Sequence, residues 1–443
     1  MADPLKGSIF SIFIRYALPS ALGMLAVSSS AIVDGIFVGN YIGSDALAAA
    51  NFSMPVFTFI FGLSLMISVG GSVIAGKQIG EGNPKAATQT FMAIVVSTLM
   101  LTLGLGTLSL IFMDGLVTML GAKDNSADLL GQYLDIVLLF SPVIGLSTVL
   151  MYFVRVDNNP NLMGLATVAS AFTNIGLDYV LIVLLEQGMF GAALATGISQ
   201  VIALLILLVH FNRKQRVLAF VRPVKVWHTL KASCFNGVSE FGNEVSAGIT
   251  ALIFNWVLMT RIGVDGVAAY AVINYLCFIG IVLSFGISDS LQPIISKNYG
   301  AGYADRVTSF IKVACISAFS IGLGVSVALT FFPQTLIELF LDEASAQSIS
   351  IANQFAGYIW PAFLFNGINI VLSGYLTAMH QPIPSAAISL LRSFILPASL
   401  LITLPLLFGN TGIFMVLAIT ELLTFVVAIW LTLKFSPSKI MQK

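Results

Sequence analysis

Charge is scarce in this sequence. Asp, Glu, Lys and Arg make up 9% of 443 residues, against about 25% in soluble domains. With 58% hydrophobic residues, a water-soluble fold of this size could not hide its apolar surface, so the surplus must face lipid. Neither sign of charge dominates, with 20 basic and 20 acidic residues, which gives no basic surface for nucleic acid. Cysteine is equally sparse. Cys234, Cys277 and Cys315 lie far apart in apolar stretches, an odd number without close spacing, so they build neither a disulfide framework nor a metal site. His210, His228 and His380 fall at expected helix ends or in loops, where structural roles suffice. The sequence also lacks a Gly-x-Ser-x-Gly elbow, an embedded histidine cluster and a paired catalytic aspartate motif, which leaves an intramembrane enzyme without support.

Long apolar runs are what the sequence has. A spanning helix needs roughly 20 apolar residues. Twelve candidates are centred near Leu25, Phe61, Met100, Phe140, Ser170, Ala203, Thr250, Ile279, Ser320, Phe365, Leu396 and Val426. The first run, Phe10 to Val38, is too long for a signal-peptide core and lacks a clear cleavage site. The basic stretch from Phe211 to Lys231 divides the chain nearly in half. The expected organisation is a six-helix N-terminal lobe over 1–210, a cytoplasmic linker over 211–231 and a six-helix C-terminal lobe over 232–443.

Basic residues orient the chain. With both termini cytoplasmic, 17 of the 20 Lys and Arg fall on the cytoplasmic side, Arg155 and Lys297 among them. Lys123 and Arg261 fall outside, and Arg392 within a helix. The expected location is a bacterial inner membrane, crossed many times.

The halves repeat. Ile42-Gly43-Ser44-Asp45 and Ala48-Ala49 match Ile262-Gly263-Val264-Asp265 and Ala268-Ala269, and Lys77, Gly80 and Gly82 match Lys297, Gly300 and Gly302, all at an offset of 220. Pro142 aligns with Pro361 and Pro160 with Pro382, so the offset drifts by one or two. Six helices per half is an even number, so the halves share a topology and are related by a pseudo-two-fold axis along the membrane normal. Parallel repeats of this kind suit alternating access, with the substrate path between them.

Ionisable groups inside a bilayer are costly and are functional candidates by default. Asp34, Asp178, Glu240, Glu244, Asp289, Arg392 and Glu421 qualify, with Asp135 near a helix end. Asp34 lies nine residues before Gly43, and Asp178 nine before Gln187, from which Thr196 is equally far on the other side. That places all three about 13 Å below the outer turns. Asn174 and Asp178 are four apart, hence on one helix face, and so are Ala192 and Thr196. This oxygen cluster suits Na⁺. It suits a proton equally, because two close carboxylates in a low dielectric do not readily ionise together. It could also be a hydrogen-bond network that locks the helices.

The second half has Phe254 opposite Asp34. It carries its own pair, Glu240 and Glu244, and a Glu240–Arg392 ion pair is geometrically possible if the seventh and eleventh helices touch. Pro19 lies inside the first helix, where it removes a backbone hydrogen bond, either as a static bend or as a hinge on the helix that carries Asp34.

These residues resemble the multidrug and toxic compound extrusion (MATE) transporters, most of all their bacterial DinF/MepA-like branch. The resemblance is carried by Pro19 and Asp34, by Asn174-Ile175-Gly176-Leu177-Asp178, by Gly191-Ala192 with Thr196, and by EFGNEVSAGITALIFN from Glu240 to Asn255. It implies two six-helix lobes, a V-shaped cleft, and export of amphipathic or cationic drugs in exchange for H⁺ or Na⁺. It also implies no cofactor and no enzymatic step. Asp34, Asn174, Asp178 and Thr196 stand where the family's cation-binding residues stand, and they are the candidates for holding Na⁺ or a proton. The tenth helix, Asn366 to Met379, carries no carboxylate, unlike the NorM branch. Tyr133 and Met151 on the fourth helix, with Glu240 and Glu244, are the candidates for the substrate wall. The expected partners are small drugs and membrane lipid, with no nucleic acid, and the chain is expected to act as a monomer. The alternatives are a flippase for lipid-linked precursors, which calls for an arginine-lined cavity, and a channel.

Overall fold

The computed structural model describes residues 3–338 and 346–441, and these are helical with no strand. Twelve long helices follow in order. They are α1 (Ile9–Phe37), α2 (Ser44–Gly80), α3 (Pro84–Ile111), α4 (Asp124–Val156), α5 (Pro160–Asp178) and α6 (Gly188–Leu208), then α7 (Val226–Arg261), α8 (Val264–Gly300), α9 (Ala304–Phe331), α10 (Ala346–Ala378), α11 (Pro382–Phe408) and α12 (Asn410–Lys434). Each contains one of the twelve expected centres. The chain is a multi-pass membrane protein of two six-helix lobes. Among the described residues, eleven of these helices are long and apolar enough to cross a membrane. The twelfth, α7, has 36 residues but is interrupted by Asn236, Glu240, Asn243 and Glu244. Its polar residues face other helices: Asn236 donates to the Thr377 carbonyl of α10, Glu240 accepts from Gln292 of α8, and Asn243 lies 3.5 Å from Arg392 of α11. It also begins at Val226, so the last six residues expected in the linker are helical.

The sequence repeat is a repeat of backbone. Helices α2 and α8 both have 37 residues, α3 and α9 both 28, and α4 and α10 both 33. The turns repeat as well. Left-handed backbone occurs at Gly43 and Gly263, at Gly82 and Gly302, at Asn158 and His380, and at Gly188 and Gly409. Each pair is separated by the offset of the repeat. Proline opens α3, α5 and α11 at a position where the missing N–H has no helical partner to lose.

The halves meet through α2 against α7 and α8, and α1 against α8. Close approach depends on small residues. A side chain at Gly70 would overlap the Ser233 carbonyl, one at Gly237 the Met66 carbonyl, and one at Gly286 the backbone of Ala21. At the basic end, a side chain at Gly80 would meet the Lys297 carbonyl and one at Gly300 the Lys77 carbonyl. The repeated Lys and Gly therefore pack on one another across the pseudo-two-fold axis. A polar tie reinforces that end: Lys297 Nζ donates to Asn158 Oδ1 at 2.7 Å, and Tyr16 hydroxyl donates to the same oxygen at 3.1 Å.

The outer faces carry exposed Phe10, Leu22, Met100, Leu252, Trp256, Leu406, Leu407 and Trp430. In water such surface costs about 25 cal/mol per Å², whereas lipid removes that cost.

Candidate functional site

Helices α1, α5 and α6 pack together in the N-terminal half, and their polar residues converge there. Asp178 is the last residue of regular α5. A π-helical turn, Tyr179–Leu184, follows it, and another, Val38–Ile42, follows Asp34 by one turn of α1. Such turns shift the register of the side chains beyond them and recur at functional sites. Asp178 is 0% exposed, and neither of its carboxyl oxygens has a hydrogen-bond donor in the protein; one oxygen of Asp34 is likewise buried without a donor. The two carboxyls are close enough to act on each other electrostatically, and both act on the Tyr133 hydroxyl, which lies within reach of Thr196.

The rest of the cluster is partly engaged. Asn174 Oδ1 accepts from the Ser30 hydroxyl, which ties α5 to α1. Thr196 Oγ1 donates to the Ala192 carbonyl at 3.2 Å within α6. Pro19 lies about four turns from Asp34 along α1, against Gly164 of α5, where an added Cβ would come 2.6 Å from the Pro19 ring. Helix α1 runs unbroken through Pro19. Met151 packs in the core of this half and takes a Thr167 hydroxyl on its sulfur at 3.6 Å.

A second polar group joins the halves. Arg155 of α4 is 2% exposed and faces Asp289 of α8 at 3.8 Å. Tyr152 hydroxyl donates to Asp289 at 3.0 Å, and the Arg155 guanidinium lies over the Tyr152 ring. Glu240 and Glu244 are both close enough to Asp289 to interact with it. Arg155 and Lys297 were expected among the charges of the cytoplasmic face. Both are enclosed, Lys297 at 1% exposure, and each meets a polar partner from the other half.

In the C-terminal half, the expected Glu240–Arg392 pair does not form. Arg392 Nε donates to Glu421 at 3.0 Å, and Glu240 accepts from Gln292 at 3.4 Å. Glu421 reaches Arg392 first because α12 packs on the π-helical turn of α11 that carries the arginine, and Asn366 and Asn369 hold the glutamate there at 2.6 and 2.8 Å. Phe254, opposite Asp34 in the repeat, is fully buried and stacked on Tyr270 at 4.9 Å.

The family model MatE matches residues 19–180 and 248–403, one block in each half. The chain belongs to the MatE family. It is a transporter and not an enzyme. This MatE transporter is 26% identical to the multidrug export protein MepA of Staphylococcus haemolyticus, over 94% of its own length and 91% of that protein's. It is 25% identical to MepA of Staphylococcus aureus, over 94% and 92%. Among solved structures it is similar to a MATE crystallised with MaL6 (TM-score 0.91, 22% identity, 100% and 99% of the two chains). It is also similar to a MOP-superfamily transporter from Pyrococcus furiosus (TM-score 0.88, 23% identity, 100% and 98%). At these identities the structures speak to the fold.

In the MatE chain's acidic cluster, Ser30 escapes a reading of the sequence, and Tyr133 is expected from it only at the substrate wall. Ser30 is four residues before Asp34, on the same helix face, a spacing that marks it in retrospect. Tyr133 belongs beside the carboxyls as well as beside the small apolar cavity between α2 and α4. Its position on α4 relative to α6 is set by packing, which no local pattern in the sequence reports.

Proposed function

We propose that the protein exports small amphipathic or cationic drugs across a bacterial inner membrane, in exchange for H⁺ or Na⁺, with Asp34 and Asp178 as the coupling groups. The observation that carries this reading is the enclosed Asp178 carboxyl, without a donor and beside Asp34. A buried carboxylate without a donor is expensive, so this pair is stable only with a proton or a cation. Asn174, Thr196 and Tyr133 supply further oxygens, and all of them are hard ligands suited to Na⁺. The Ala192 carbonyl is an additional oxygen on the same helix. The relatives named as multidrug export proteins support the substrate class.

Coupling requires that the ion bind one conformation better than the other. The structure is closed at the basic end, which we assign to the cytoplasm together with both termini. In this reading an ion from outside neutralises the Asp34–Asp178 pair. Helix α1 then repacks, with Pro19 and its contact on Gly164 as the hinge, and bound drug leaves outward. Tyr133, Met151, Glu240 and Glu244 are assigned to the substrate path. The lobes are taken as 1–210 and 232–443, joined by 211–231, in a monomer that contacts membrane lipid.

The test is drug efflux from proteoliposomes under a pH gradient alone, then a Na⁺ gradient alone, for the native protein and Asp34→Asn. Efflux driven by one gradient and abolished in the variant, with expression intact, is the expected result. Unimpaired coupling in Asp34→Asn would sink the assignment. A lipid-linked precursor flippase is less favoured, since Arg155 and Arg392 each face a carboxylate and do not form a bare cluster for pyrophosphate.

A further inference from the structure

The C-terminal half contains a cavity of about 330 Å³ that the acidic site of the other half does not use. Its walls are largely apolar and aromatic, including Phe254, Tyr270, Phe285 and Phe363, and its polar residues include Arg392, Glu421 and Glu244 together with Asn243, Asn274 and Asn366. Arg392 is built into place. Glu421 takes its Nε at 3.0 Å and is itself held by Asn366 at 2.6 Å and Asn369 at 2.8 Å. The Phe285 ring lies 5.8 Å from the guanidinium carbon. The two terminal nitrogens are left for the cavity. Nη1 has only a long contact to Asn243 at 3.5 Å, and no protein acceptor is found for Nη2 among the described residues. A guanidinium fixed through Nε presents the planar fork that matches a carboxylate. Glu244, on the same cavity, has no hydrogen-bond donor among the described residues and supplies a negative counterpart.

The pseudo-symmetric position in the other half is built differently. Ser147 and Gln200, which the repeat aligns with Asn366 and Glu421, bond to each other at 2.8 Å as a neutral pair, and Ser170 stands where Arg392 does. A charged guanidinium is therefore not required to hold this junction of helices together.

We propose that this cavity is a ligand site for zwitterionic amphiphiles, with the ligand carboxylate on the Arg392 fork and its ammonium toward Glu244. The proposal rests on the transporter reading but needs no gradient, because binding is measured at equilibrium. The probes are a diamino-xanthene dye, which carries a cationic nitrogen and a free carboxylate, and the methyl ester of the same dye, bound to purified protein in lipid nanodiscs and read by fluorescence anisotropy. The variants are Arg392→Lys, which keeps the charge and loses the fork, and Arg392→Gln with Glu421→Gln, which copies the neutral pairing of the other half and leaves no carboxylate unpaired.

The native protein is expected to bind the free acid more tightly than the ester. Both variants should weaken the free acid on the order of tenfold, as for loss of a charged hydrogen-bond pair, and leave the ester within about twofold of native. Equal loss of both dyes would reduce Arg392 to a structural role and overturn the proposal. So would no preference for the acid in the native protein, or unchanged affinity in both variants. Gradient-driven efflux of the ester, measured separately, reports on the coupling site. Its failure would count against Asp34 and Asp178 and leave the binding result standing.

Discussion

Arg155 and Asp289 offer the sharpest test of how the halves are held closed. They sit on α4 and α8, one from each half, at 3.8 Å with side-chain exposures of 2% and 15%. At that distance and an effective dielectric of about 20, the attraction is about 4 kcal/mol. The contact is too long for a strong hydrogen bond and Asp289 keeps some exposure, so a net coupling of about 2 kcal/mol is expected. Asp289→Asn should cost about 3 kcal/mol, because it leaves an enclosed guanidinium that already lacks acceptors at Nε and Nη1. Arg155→Met with Asp289→Asn should recover most of that loss. The assay is a double-mutant cycle on thermal midpoints in detergent. Alongside it, thiol labelling of Ser296→Cys, a position enclosed against Gly76 in the α2–α8 contact, would report opening of the basic end. Additive single losses, with a coupling near zero, would refute the latch. A large coupling without any change in labelling would mean that the pair stabilises the fold and not the closed conformation.

Asp178→Asn is expected to keep or raise the thermal midpoint, since a neutral isostere removes the cost of burying a charge without donors. A loss above about 2 kcal/mol would show that the carboxylate makes an interaction that the amide cannot. At the basic end, burial and then the Lys77 ammonium push the His380 imidazole from its ordinary 6.5 down to about 4. Between those values the unfolded chain takes a proton that the folded chain refuses, so stability falls as the pH drops through this window and levels off below it. His380→Asn, which suits the left-handed backbone there, should flatten the dependence of the thermal midpoint between about pH 7 and pH 4. Equal slopes in the two proteins would rule out His380 as its source.

The fold was largely legible in the sequence because its determinants are local or repeated. A run of apolar residues is long enough to span or it is not, and α7 was still recognisable as the seventh helix of an even repeat despite its carboxylates. The matching Gly and Lys at an offset of 220 pointed to two halves, and they turn out to be the residues that pack on the axis. The acidic cluster was partly legible for the same reason. Spacing along a helix fixes depth and face, so Asp34, Asp178 and Thr196 could be placed at one depth and Asn174 on the same face as Asp178.

Pairing across helices could not be read this way. Arg392 met Glu421 and not Glu240, Arg155 proved to be enclosed with Asp289, and Ser30 and Tyr133 joined the acids. Each depends on which helices touch and on rotations introduced by π-helical turns at Val38–Ile42, Tyr179–Leu184 and Leu391–Ile395. Composition, run length and the internal repeat by themselves determined a two-half membrane protein with ionisable residues inside its spans, because lipid imposes length and apolarity on every span. Tertiary structure alone decided which charges neutralise one another, because side chains far apart in sequence must find their partners where water cannot supply them.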